Sequence, residues 1–377
     1  MIEIKNKKDC CGCHACMTVC PKQCISMVAD EEGFVYPKVD MSCCIGCHLC
    51  EKVCPVLHQA EPSRPLKVYA SMNKNLDIRL KSSSGGLFTL LAESVIRKGG
   101  VVFGAKFDED WNVVHSFTET IGGLAAFRGA KYVQSRMGNA YREAKRFLDE
   151  KRWVLFSGTP CQVAGLKNYL RKEYENLLAV DIVCHGVPSP KVWQHYLKSI
   201  NDTKQRITYL SMRDKKDGWH RYRMEIHAGK QVLYSGQAAY NTYSRGYLAN
   251  LFLRPSCHAC PARSGKSRSD ITLGDFWGLQ RYHPSFDDRK GTNLVLINTP
   301  QGLNHYRLSD VYQVETTYEM GIRENGCIEH SVPYPSLRNE FWNRFPEEGI
   351  GLIDKLYRKK NRIWYRIWNW CCNGNKT

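Results

Sequence analysis

Cysteine spacing constrains this chain more than any other feature. Cys10, Cys13, Cys16 and Cys20 follow C-x2-C-x2-C-x3-C, with Pro21 next. Cys44, Cys47, Cys50 and Cys54 repeat the run, with Pro55 next. In this arrangement a short chain wraps two cubane iron–sulfur clusters, three close cysteines binding one cluster and the fourth crossing to the other. The crossed assignment gives Cys10, Cys13, Cys16 and Cys54 to one 4Fe-4S cluster. Cys44, Cys47, Cys50 and Cys20 hold the second. Such clusters pass single electrons, so the segment reads as redox machinery.

The competing readings of these cysteines fit less well. A disulfide framework needs an oxidising compartment. The opening MIEIKNKKDC has no apolar core for a signal peptide. Zinc sites usually pair two C-x2-C units across a longer gap. Residues 1–58 resemble the bacterial two-cluster ferredoxins. Cys11, Cys24 and Cys43 lie off the pattern and read as spare thiols.

A chain of 377 residues is too long for one ferredoxin. At roughly 100–200 residues per domain it holds two or three units. Hydrophobic residues make up 43% of it, as in a globular protein. No run approaches the roughly 18 apolar residues of a spanning helix. With 18 cysteines and no export signal, the expected location is cytoplasmic, with metal sites in place of disulfides. The formal charge of +17 invites a nucleic-acid reading. That count treats cluster ligands as neutral thiols. Each oxidised cubane with its thiolates carries about −2, so three clusters and a dinucleotide leave about +9. The residual excess suits anionic partners, such as a phosphate-bearing cofactor, an acidic carrier protein or a membrane surface. No familiar nucleic-acid motif is present, and no nucleic-acid partner is expected.

Residues 59–66 form a linker in which Glu61-Pro62-Ser63-Arg64-Pro65 is stiff. Beyond it, strands and helices alternate. Strands are expected at Lys67–Ser71, Val101–Phe107, Val113–Thr118, Trp153–Ser157, Leu177–Val183 and Asn293–Asn298. Helices are expected at Leu87–Lys98, Asn139–Lys151, Cys161–Leu170 and Val192–Ile200. Such alternation predicts α/β units with parallel strands. Residues 206–236 change to consecutive strands, an antiparallel insertion. The fold class is therefore α/β, a ferredoxin-like two-cluster domain followed by a larger mixed α/β domain over residues 67–345. A basic, aromatic tail covers residues 346–377. Its DKLYRKKNRIWYRIWNW stretch has the mixture of an interfacial amphipathic helix, which would place the chain peripherally at the inner membrane face. The alternatives are a helix docked on the chain's own core and a partly ordered tail.

Four later cysteines form a second set. Cys161 follows Ser157-Gly158-Thr159-Pro160, past one predicted strand. Cys184 follows Asp181-Ile182-Val183, past the next. Successive strand ends of a parallel sheet share one edge, where ligands bind. Cys257 and Cys260 add a C-x2-C between prolines. Four cysteines fit a third cubane, zinc fits the count equally well, and unligated core cysteines are the third reading. Cys327, Cys371 and Cys372 stand apart.

The strings KSSSGGLFTLL (81–91), GAKYVQS (129–135), SGTPCQVAGLK (157–167), DIVCHGVPSP (181–190) and CHACPARSGKSRSDITLGDFWG (257–278) resemble the coenzyme F420 hydrogenase/dehydrogenase beta-subunit family, in that order and over roughly residues 65–345. The resemblance implies an FAD-containing iron–sulfur oxidoreductase, with Cys161, Cys184, Cys257 and Cys260 as ligands of a cluster beside the flavin. It also implies a ferredoxin-like or other redox partner, and a small-molecule substrate or the deazaflavin coenzyme. The alternative is a non-catalytic electron-relay subunit of a larger complex, serving for example polysaccharide biosynthesis; a scaffold with structural metal is a third class.

Individual residues suit a flavin site. Ser84-Gly85-Gly86 before a helix presents backbone N–H groups to a pyrophosphate. Lys131 and Arg128 offer positive charge, and Tyr132 a ring to stack on. Gly158 and Thr159 make a tight turn. Asp275, among aromatics, suits a cofactor hydroxyl or a turn cap. His185, next to Cys184, is the candidate proton donor. Each also has an ordinary structural reading as a cap, a surface charge or a packed ring.

Overall fold

The computed structural model describes residues 1–202 and 204–358. Both cysteine runs fold alike. Gly12 and His14 adopt positive φ (67° and 65°), as do Gly46 and His48 (65° and 57°). Each loop then enters a short helix, Ala15–Val19 or Leu49–Lys52. The repeat legible in the cysteines is thus a repeat of backbone. Between the two runs, β1 (Ile25–Ala29) and β2 (Val35–Val39) pair antiparallel.

The larger part is built on an eight-stranded mixed sheet. Its first strands are β3 (Lys67–Asn73), β4 (Val101–Phe107), β5 (Val113–Thr118), β6 (Val154–Gly158) and β7 (Leu177–Ile182). An insertion follows, made of β8 (Tyr209–Asp214), β9 (Arg223–Ala228) and β10 (Gln231–Gln237). The main sheet is completed by β11 (Ile271–Asp275), β12 (Asn293–Ile297) and β13 (Val311–Glu315). Its order is β13-β3-β12-β11-β7-β6-β4-β5. Pairs β4/β6, β6/β7 and β7/β11 are parallel, and the other four are antiparallel. The parallel centre agrees with the expectation from alternation. The antiparallel flanks do not, and β11 and β13 are additions to it. β11 is hidden in a string dominated by Cys, Ser and Arg. β13 is an edge strand whose residues are mostly exposed or half-buried, so it carries little periodic signal.

Central strands are buried on both faces, as helix-covered parallel strands are. Val101, Phe103, Val154 and Phe156 face the helices Ala140–Asp149 and Pro160–Leu170. Val102, Leu155, Leu178 and Val180 face the helix Leu87–Ile96. The alternation follows from the period of two along a strand. The insertion forms the expected separate antiparallel sheet, in order β10-β9-β8.

The ferredoxin-like segment is joined to this body by more than a linker. Cys11, Cys13, Ala15 and Val53 belong to the same apolar cluster as Phe156 and Leu166. A side chain at Gly165 would meet Cys13 at 3.0 Å, so only glycine lets the two backbones approach. Glu32, in the β1–β2 turn, pairs with Arg338, both buried. The linker is itself fastened, with the Leu66 N–H donating to the Ile297 carbonyl at 2.7 Å.

The helix Arg338–Glu348 crosses residue 346. Residues 352–358 are helical. Leu352, Ile353 and Leu356 are fully buried, and Asp354 accepts from Thr242 Oγ1 at 2.8 Å. The start of the tail therefore docks on the chain's own core. Trp364, Trp368, Trp370, Cys371 and Cys372, on which the interfacial reading rests, lie outside the described residues. No helix among the described residues is long and apolar enough to cross a membrane.

Candidate functional site

β6 and β7 run parallel with Gly158 opposite Asp181. Their C-terminal ends open on one edge of the sheet, and there lies a cavity of about 270 Å³. Ser84, Gly86, Lys131, Tyr132, Gly158, Thr159, Asp275 and His185 all line it, with Arg128. Residues scattered over almost 200 positions are thus gathered by topology. Gly85 is the exception. It packs against the sheet, where a Cβ would meet the Ser71 carbonyl at 2.5 Å and the Asn293 amide at 2.7 Å. Its role is close backbone approach, not ligand contact.

The Ser84–Gly86 loop is held rigidly. Gly86, at φ 81°, is the N-cap of the helix Leu87–Ile96 and supplies no capping side chain. Asn293 Oδ1 accepts from the Leu87 amide at 3.2 Å, and Ser84 Oγ donates to the Thr292 carbonyl at 3.0 Å. Lys215 Nζ donates to the Ser84 carbonyl at 2.6 Å. A helix N-terminus facing a cavity favours negative charge.

Lys131 supplies a cation. Its ammonium donates to the carbonyls of Phe127, Arg128 and Gly129 at 3.0–3.4 Å. Burial pulls its pKa down to about 7. Among the described residues no carboxylate pairs with it, so an anion in the cavity would stabilise its charged form. Tyr132 stacks on Tyr247, with ring centroids 5.0 Å apart. Asp275 is already engaged. Arg213 pairs with one of its oxygens, and Trp219 Nε1 donates to the other at 3.0 Å. Asp275 therefore holds the insertion sheet against the cavity through Arg213 of β8. His185 shares a 2.7 Å hydrogen bond with Asn250 Oδ1, and burial lowers its pKa.

A polar chain beside Gly158 is not anticipated by the sequence reading. His115 Nε2 lies 3.0 Å from the Ser157 carbonyl, which can only accept, so this nitrogen carries the proton. His115 Nδ1 accepts from Ser135 Oγ at 2.9 Å. Gln162 Nε2 donates to Ser135 Oγ at 2.8 Å, and its Oε1 accepts from the Thr159 amide at 2.9 Å. Thr159-x-x-Gln162 is a capping box, a signal the sequence does carry. Burial holds the His115 pKa down to about 4 from 6.5. The unfolded chain takes up this proton as pH falls through 6.5, whereas the folded chain resists until about 4. Stability should accordingly fall across that window by about 3 kcal/mol from this residue. Urea unfolding at a series of pH values checks it, and His115→Gln should flatten the slope.

The cysteines fall into three groups. A small cavity is lined by Cys20, Cys44, Cys47 and Cys50, with Cys24. Cys11 lowers the Cys13 thiol and burial raises it, and burial chiefly raises those of Cys16 and Cys54, with smaller contributions from others of the set Cys10, Cys16 and Cys54 close by. The third group, Cys161, Cys184, Cys257 and Cys260, lines one small cavity behind the large one. Cys184 forms part of both walls. Among the described residues no three ligating side chains converge as a single ion requires. The neighbouring Cys11, then burial, pushes the Cys161 thiol up, and burial pushes up those of Cys184 and Cys257, the last to about 12.

Cys11, off the cluster pattern, has a definite place in the fold. It is buried, lines the third group's cavity beside Cys161, and shares an apolar cluster with Cys13. It thus stands between the first group and the third. Spacing could not show this, because its neighbour lies far along the chain.

Two family models match the chain. Residues 9–57 match the 4Fe-4S dicluster domain. Residues 151–317 match the C-terminal part of the coenzyme F420 hydrogenase/dehydrogenase beta subunit. Among solved structures, a chain of the F420-reducing NiFe hydrogenase complex from Methanosarcina barkeri aligns at 16% identity and TM-score 0.47, covering 79% of this chain and 93% of that one. No curated protein matches. The chain is an iron–sulfur redox protein, with a 4Fe-4S dicluster domain at the front and a later part related to the C-terminal part of the coenzyme F420 hydrogenase/dehydrogenase beta subunit.

Proposed function

We propose that the chain is a flavin-dependent iron–sulfur oxidoreductase. In this reading Cys161, Cys184, Cys257 and Cys260 hold a third 4Fe-4S cluster and FAD occupies the large cavity. The observation that carries it is the shared wall. Cys184 lines both the four-cysteine cavity and the cavity with the rigid Ser84–Gly86 loop and Lys131. When bound, FAD supplies exchange between single-electron and hydride chemistry.

The chain's own residues set the terms. The loop amides and Lys131 hold anionic groups. Tyr132, Val183 and Leu273 give the cavity apolar wall, and Arg213 fixes the insertion sheet against it. Solvent exposure orders the cysteine groups. Cys47 and the flanking Met41 and Ile45 are exposed, whereas Cys10 and Cys13 are buried against the body. An external single-electron carrier therefore meets the Cys44 group first, and the Cys10 group faces the third set. Residues 1–58 hold six lysines, no arginine and seven acidic residues. Most of the basic excess lies in residues 67–345, at +14, which favours an anionic substrate there, of which the deazaflavin coenzyme is one instance.

The test is flavin binding. Protein reconstituted anaerobically with excess FAD should retain it through desalting and release it on acid treatment. Lys131→Met should weaken binding by about tenfold, as loss of one charge-assisted contact does. Wild-type affinity should decline as pH rises above about 7, where Lys131 loses its proton. Failure of the wild-type protein to retain FAD would leave only an electron-relay subunit.

A further inference from the structure

Arg254 ends the apolar run Leu251-Phe252-Leu253 and precedes Pro255. It is fully buried. Its Nε donates to the Cys10 carbonyl at 2.7 Å and its Nη1 to Gln134 Oε1 at 3.0 Å. Its Nη2 donates to the Val35 carbonyl at 3.0 Å and to Cys10 Sγ at 3.4 Å. The guanidinium also lies over the Tyr36 ring, 4.4 Å from its centroid. Among the described residues no carboxylate pairs with it. Its own carbonyl accepts from the Cys257 amide at 2.9 Å.

A buried cation without a carboxylate needs another source of negative charge. The ionisable groups around Arg254 are Cys10, Tyr36, Cys11 and Cys257, and among them the Cys10 sulfur accepts directly from the guanidinium. The packing is so close that a Cβ on Gly12 would meet Arg254 Nη1 at 2.7 Å. The guanidinium therefore occupies a built position between two cysteine groups. At the outer group, Cys50 accepts from the Ile2 amide at 3.3 Å, and the nearby cation, the Met1 ammonium, is half-exposed and already paired with Glu51 at 2.8 Å.

We propose that Arg254 is the counter-cation of the cluster held by Cys10, Cys13, Cys16 and Cys54, and that it makes this inner cluster the higher-potential member of the ferredoxin-like pair. Reduction adds one electron to the cluster with no proton. A fixed positive charge and an N–H donated to a ligand sulfur both stabilise the more negative, reduced state. An electron entering at the exposed Cys44 group would then run downhill toward the body. Arg254 touches a cluster ligand without being one, so it acts as a tuning and positioning residue.

Redox titration of the full chain, held anaerobic and followed by electron paramagnetic resonance, tests this. Cys47→Ala, which alters the outer cluster, identifies each signal. In the wild type the inner cluster should titrate at the higher potential. Arg254→Gln should lower its reduction equilibrium constant at least tenfold, about 59 mV for one electron. The outer cluster should not move. Arg254→Lys, which keeps the charge and loses the fork, should fall between. An unchanged inner potential with iron retained would overturn the proposal, as would an equal shift of both clusters. Should Arg254→Gln lose iron, the wild-type order and Arg254→Lys still decide. An inner cluster that titrates below the outer one rejects the inference.

Discussion

Arg338→Met should lower unfolding stability by roughly 3–5 kcal/mol, the cost of stranding one member of a buried ion pair. Arg338 Nη1 donates to Glu32 Oε1 at 2.8 Å, and Nη2 donates to the other carboxylate oxygen and, at 2.9 Å, to the Leu253 carbonyl. Both side chains are more than nine-tenths buried. Methionine fills much of the volume and leaves Glu32 charged in an apolar setting. The damage should be local first. Glu32 sits in the β1–β2 turn, where Ser189 Oγ also donates to its carbonyl and Lys191 Nζ donates to the Glu31 carbonyl at 2.9 Å. Hydrogen exchange should show residues 30–34 losing protection before the central sheet does. Denaturant unfolding gives the magnitude. The double variant Glu32→Gln with Arg338→Met should recover part of the loss, since no charge then remains stranded. A single variant within about 1 kcal/mol of wild type would show that this pair does not fasten the front segment.

Cys184→Ala should have the largest effect on redox function. On the proposed reading it removes one ligand of the third cluster and alters the wall of the flavin cavity. Iron should drop by about four atoms per chain, from about twelve. The ferredoxin-like pair should keep its spectrum, because Cys184 takes no part in the first two cysteine groups. Even changes in the shell around a metal cost about 10–100-fold. Loss of a ligand should therefore cut turnover with an artificial single-electron donor by roughly 100-fold or more. Cys327→Ala, at a half-buried cysteine beside Arg263 outside the four-cysteine cavity, serves as the control and should change neither iron nor turnover. Full iron content in Cys184→Ala would show the ligand assignment to be wrong.

Much of this was legible in local sequence. The cysteine runs announce their loops because the two glycine and two histidine positions repeat along with them. β4 and β5 lie where the apolar alternation puts them. Cys161 and Cys184 meet because two neighbouring strands are parallel, a consequence of the helix between them. What could not be read is non-local. Glu32 and Arg338 are 306 positions apart, and nothing local in either marks a partner. Cys11 is off the pattern by spacing, yet it lines the cavity of the third cysteine group. Gly85 belongs to an attractive phosphate-loop string, yet its surroundings are backbone from β3 and β12. Arg254 carried a signal that went unused, an arginine within an apolar run, which requires a buried anion or acceptor.

Iron, acid-labile sulfide and zinc determined per full-length chain after anaerobic reconstitution test the central claim most directly. Two ferredoxin-type clusters and a third held by Cys161, Cys184, Cys257 and Cys260 require about twelve irons with matching sulfide and no zinc. About eight irons, with or without zinc, would contradict it.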